Sequence, residues 1–324
     1  MELDSGGEMS EYDLALDDQV EWAAFWTSDY GHGLFESIQR SVSGKRRDAG
    51  ERHPEEIVEE GHEQDILMMM PLVNGECFYW SRDIVDVVSI ASQSLPDSWC
   101  LMKPDIPAAS GFFWFAKEPE IEFRGIRAFG WTLLNIEDKV AAVHIPQGNG
   151  SMPDFDAVEL IIFINNPDFP KPLPSFSLIA VGQSLSAWRL EQSDYAVSIN
   201  ANPDEFNYEY RALRLFAAML SFIQQKILVT SRHATSRATR RRVASSRSAE
   251  ADINIVKLRS ILHSSHKGEE LPIEWSCRWL VRGHWRNQWF PSIRKHRPTW
   301  ITPYIKGPED KPLRNPGKLF AVVR

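Results

Sequence analysis

Between residues 111 and 180 one strand-length apolar segment follows another, and no helical pattern separates them. The segments span 111–116, 126–134, 140–145, 158–164 and 175–180, each rich in aromatic or β-branched residues and bounded by Pro, Gly, Asn or Asp. A parallel sheet would need a long, usually helical crossover between consecutive strands. This succession therefore predicts an antiparallel sheet rather than a Rossmann-type alternation.

Helical spacing appears on either side of that block. Residues 20–26 and 34–42 predict two short N-terminal helices, with residues 1–20 acidic and frayed. Residues 83–94 place Ile84, Val87, Val88 and Ala91 on one face. A longer helix is expected over 204–229, with Leu213, Phe216, Leu220, Ile223 and Ile227 three or four residues apart. The fold class is thus α+β: N-terminal helices, a mainly antiparallel central sheet, a long helix and a C-terminal β-rich basic module. The division read from composition is an acidic helical N-terminal region with a polar, flexible connection (1–64), an α+β body (65–230), an Arg/Ser-rich linker (231–249) and an aromatic/basic module (250–324).

Charge sharpens that division. The formal charge is −8, from 36 Lys/Arg and 44 Asp/Glu, but 21 of the basic and only 7 of the acidic residues lie beyond residue 225. The last third therefore carries +14 and the rest −22. An acidic body with a basic end points to an anionic partner, or to attraction between the two parts. Cys77, Cys100 and Cys277 are far apart and form no C-x-x-C pair, as expected in a reducing compartment. The longest apolar runs fall far short of a membrane span, and the acidic N-terminus lacks a basic leader. A soluble, cytoplasmic protein without membrane contact is expected, with its oligomeric state open.

Catalytic and metal signatures are weak. His263, His266, Cys277 and His284 contain one close pair only, short of the convergent ligands zinc requires, so no metal and no cofactor is expected. Glu118, Glu120 and Glu122, and separately Asp154, Asp156 and Glu159, are carboxylate groups that read as solvated sheet faces. No nucleophile elbow, Walker loop or dinucleotide fingerprint occurs. If the chain is a nuclease, His284 is the candidate proton carrier, by the ordinary pKa of imidazole.

The run from Trp275 to Phe290 is different, holding four Trp, three Arg and a His in sixteen residues. On one extended strand, Trp275, Trp279, Trp285 and Trp289 share a face, and Arg278, Arg282, His284, Arg286 and Gln288 share the other. The tryptophan face is expected to be core and the arginine face an anion-binding surface. RNA suits it, because phosphates and unpaired bases can both be met there. Arg294, Lys295, Arg297 and Lys306 extend the expected surface, and Arg240, Arg241 and Arg242 supply salt-sensitive attraction. The expected partner is RNA or a ribonucleoprotein. A protein partner on the acidic body is the alternative.

The same segment carries a resemblance. Val281-Arg-Gly-His-Trp-Arg-Asn-Gln-Trp-Phe and His296-Arg-Pro-Thr-Trp-Ile-Thr-Pro-Tyr-Ile-Lys-Gly-Pro, with Leu95-Pro, Gly111-Phe-Phe-Trp-Phe and Ala128-Phe-Gly-Trp, resemble a pattern widespread in actinobacterial and phage proteins. More distantly, Leu95-Pro-Asp-Ser-Trp-Cys, Gly182-Gln-Ser, the apolar stretch 213–228, Arg282-Gly-His-Trp with Trp289, and Arg297-Pro-Thr-Trp-Ile-Thr-Pro occur in an order similar to that of the type V-A anti-CRISPR family. That family blocks production of the type V effector nuclease by recognising a nascent peptide and causing loss of its transcript. The resemblance implies contact with a nascent chain, the ribosome or RNA.

Overall fold

The computed structural model describes residues 11–26, 28, 70–119, 125–134, 156–198, 203–225, 227–243, 252–258, 277–292, 294–308 and 311–312. Its centre is a seven-stranded sheet of β1 (Glu76–Trp80), β2 (Ser110–Phe115), β3 (Ile126–Leu134), β4 (Ala157–Ile164), β5 (Leu173–Ala180), β6 (Leu228–Ala234) and β7 (Asp252–Leu258). They are ordered β5-β4-β3-β2-β1-β7-β6. The meander β2–β5 is antiparallel throughout, as the uninterrupted run of strand segments requires. β6 and β7 are also antiparallel. β1 runs parallel to both β2 and β7, so the sheet is mixed at that point.

That parallel junction follows from one helix. α3 (Arg82–Gln93) lies between β1 and β2 and returns the chain to the starting edge of the sheet. β1 has no sequence counterpart among the expected strands. Its Cys77-Phe-Tyr-Trp80 run is buried on both faces, as suits a central strand, and therefore shows no polar alternation.

Each face of the sheet buries its own aromatic layer. Phe78, Trp80, Phe113, Phe129, Trp131 and Val256 pack against α3 and α5 (Pro203–Ile223), with Leu185 and Trp188 of α4 (Leu185–Ser198) beside them. The opposite face, with Tyr79, Phe112, Trp114, Ile161, Phe163 and Ile255, is covered by α1 (Glu11–Trp26) and α2 (Met70–Val73). α1 starts well before residue 20, in the stretch expected to fray. Its Ala15, Leu16, Gln19, Trp22, Ala23 and Trp26 are buried at helical spacing, so packing rather than propensity orders it.

The C-terminal side departs further from the composition. α5 ends at Ile223 instead of 229, because Leu228 already belongs to β6. Residues 231–249, read as linker, carry the rest of β6 and then α6 (Arg237–Val243) within their described part. Pairing with β7 supplies the backbone hydrogen bonds that a polar composition cannot reveal. The helix expected over 34–42, the strand expected over 140–145 and residues 263–266 lie outside the described residues.

One glycine shows how closely the core is filled. A Cβ on Gly111 would fall 2.0 Å from the ring of Trp131, which is fully buried and held by an indole N–H bond to the Ala108 carbonyl at 3.0 Å. Gly111→Ala will destabilise the protein by about 1–3 kcal/mol through overpacking. Chemical denaturation checks this, and an unchanged midpoint would show that the Trp131 pocket has slack.

Candidate nucleic-acid interface

The Trp/Arg run does not form one continuous strand. It divides into β8 (Trp279–Val281), which pairs with β11 (Tyr304–Lys306), and β9 (His284–Phe290), which pairs with β10 (Lys295–Ile301). The break falls at Arg282-Gly283 for a steric reason. A Cβ on Gly283 would sit 2.5 Å from the Trp300 ring, so the ring packs where only glycine leaves space.

The base of the β9–β10 ribbon is anchored in the core. Trp300 is 4% exposed and lies among Phe222 and Trp285, with ring centroids 6.1 and 5.4 Å away. The Trp285 indole donates to the Ala91 carbonyl in the last turn of α3 (2.9 Å), and the Trp300 amide donates to Gln225 (3.2 Å). Arg297 pairs with Asp105, a carboxylate held 2% exposed at the end of a short 3-10 helix (Lys103–Asp105) after α3. Burial of its guanidinium lowers the Arg297 pKa.

The tip is another matter. Trp289 is 45% exposed and Phe290 36% exposed, so the expectation of an entirely interior tryptophan face is corrected there. Among the described residues the Trp289 ring meets one other ring, that of His296, itself exposed, at 5.0 Å. His284, Arg286, Arg294 and Lys295 are all exposed along the same ribbon, and Arg282 is exposed in the break just before it. Arg286 donates to Gln288 at 2.7 Å, which holds the guanidinium along the strand. Lys295 also lies near Cys100, whose thiol is pushed up by burial against the opposing pull of that lysine.

The expected surface is thus only partly assembled. Arg278 is half-buried, donates to the Lys311 carbonyl at 2.9 Å and ties down the chain after β11. Arg297 is committed to Asp105. These two therefore act as braces, because their guanidinium groups are already engaged by the fold. Arg240 and Arg241 are exposed, but α6 packs beside α1, on the sheet face opposite the one that receives Trp285 and Trp300. Arg242 belongs to the same helix. Lys306 is exposed at the end of β11, next to exposed Tyr304 and Ile305.

Sequence reading missed the exposed aromatics. The signal available for Trp289 and Phe290 was their place directly before Pro291-Ser292, at a hairpin turn that projects from the body. His284 Nδ1 lies 3.0 Å from the Arg282 carbonyl, and among the described residues no carboxylate is bonded to its ring. The described residues contain no group of three or more His, Cys, Asp or Glu suited to a metal ion, and no helix long and apolar enough to cross a membrane. No protein-family model, curated protein or solved structure matches this chain.

Proposed function

We propose that this chain is an RNA-binding protein of phage or mobile-element type, which grips single-stranded RNA or a ribonucleoprotein with the β9–β10 ribbon. The observation that carries the reading is the coincidence of two exposed aromatic rings, Trp289 and Phe290, with exposed Arg286, Arg294 and Lys295 on one hairpin anchored in the core, and with exposed Arg282 just before it. Exposed rings offer stacking surfaces to unpaired bases, and neighbouring cations meet the phosphates. In line with the anti-CRISPR resemblance, the role assigned is interference with host defence or gene expression at translation or on the mRNA.

Trp289→Ala will weaken binding of a labelled single-stranded RNA by about 1–3 kcal/mol, the worth of one stacked base. The double charge reversal Arg282→Glu/Arg286→Glu will weaken it further and flatten the salt dependence. All three side chains are exposed, so melting temperatures will stay near wild type. Electrophoretic mobility shifts at several salt concentrations read both effects. Absence of RNA binding by the wild type at low salt, or equal binding by wild type and the double variant, rejects the proposal.

A further inference from the structure

The sheet face under α1 and α2 carries an unexplained polar row. Ser110 of β2 stands opposite Thr132 of β3, and Thr132 stands opposite Glu159 of β4. Residues directly opposite in a ladder share a face, and adjacent strands lie roughly 4.8 Å apart. The three side chains therefore lie side by side, one row beyond Phe112 and Ile161. The Ser110 Oγ and Thr132 Oγ1 are shielded from solvent and have no hydrogen-bond partner among the described residues. Glu159 is 7% exposed, and no hydrogen bond or ion pair engages its carboxyl among the described residues. Burial alone pushes its pKa up to about 7.

Buried polar groups are nearly always paired, so two adjacent shielded hydroxyls without partners, beside a carboxylate that is almost wholly buried, require an explanation. We propose that the row formed by Ser110, Thr132 and Glu159 is a binding site for a small monovalent cation, an alkali ion or a primary ammonium group. One carboxylate and two hydroxyls form a hard, all-oxygen set with a single negative charge. Imidazole and thiolate, which transition metals favour, are missing from the row, as are the several carboxylates typical of tight calcium sites. A monovalent cation neutralises Glu159 and takes lone pairs from both hydroxyls, satisfying all three at once. The site lies on the sheet face away from the β9–β10 anchor, and its test is independent of RNA binding.

Thermal unfolding of the full chain at pH 8.5 provides that test, in sodium, potassium, ammonium or choline chloride at equal ionic strength. Choline is too large for the row and serves as the reference. The expected result is a saturable rise in Tm, roughly 5 °C over choline, with at least one of the small cations. A rise with sodium or potassium identifies an alkali site, and a rise with ammonium alone identifies an amine site. Glu159→Gln and Thr132→Val, both close in shape to the native residues, will each abolish the difference. Equal Tm values in all four salts, as a bridging water would give, overturn the proposal. So does a cation effect that survives in both variants.

Discussion

Glu159→Gln will stabilise the protein by about 3 kcal/mol at pH 9 in choline buffer and change it little at pH 4. The folded carboxyl has its pKa raised by burial to about 7, from an ordinary 4.5. Below 4.5 the group is protonated in both folded and unfolded chains and imposes no penalty. Between 4.5 and 7 the unfolded chain releases the proton while the folded chain keeps it, so stability falls as pH rises. Above 7 both states are ionised and the deficit stays constant, because the native state now holds a buried charge without a protein partner. Glutamine removes the titration with almost no change of shape. Urea denaturation of both proteins from pH 4 to 9 measures the difference. Parallel stability curves across that range would mean that Glu159 is solvated or paired. The result also corrects the reading of Asp156 and Glu159 as one solvated acidic group. Asp156 pairs with Lys103 at 3.0 Å and is partly exposed, whereas Glu159 points into the sheet face.

Trp300→Ala will cost about 4 kcal/mol and loosen the β9–β10 ribbon on the body. The ring is almost fully buried, fills the space over Gly283 and contacts Phe222 and Trp285. Its removal leaves a cavity beside Phe222 of α5, where Trp300 and Trp285 together pack the ribbon against the body. Trp300→Phe will cost less, since the buried indole N–H has no hydrogen-bond partner among the described residues to lose. Hydrogen exchange should show faster exchange of the β9 and β10 amides in the alanine variant, with RNA affinity reduced in parallel. Wild-type protection of those amides, together with an unchanged Tm, would show that the ribbon is held by other contacts.

Much of the sheet was legible because its segments carry a local signal. The strands of the β2–β5 meander are dense in Phe, Trp, Ile and Val, with turn residues between them. β1 and β6 were not legible, for opposite reasons. β1 is buried on both faces and shows no period, whereas β6 is an exposed edge strand that reads as polar loop until β7 pairs with it. The interface was legible as a composition. Its alternation separated Arg286 from Trp285 correctly, but an alternation cannot say how far along a ribbon the core extends.

The sequence by itself determined the α+β class, the antiparallel meander and the concentration of tryptophan and arginine near the C-terminus. Strand propensity, turn chemistry and side-chain type act over a few residues and are written in order along the chain. Tertiary structure alone decided that Arg297 is a brace for buried Asp105, that Trp289 and Phe290 are exposed, and that Arg240 and Arg241 lie across the sheet from the ribbon. It also set Glu159 beside two unpartnered hydroxyls. Burial and charge pairing depend on residues tens or hundreds of positions apart, and only the packed chain brings those residues together.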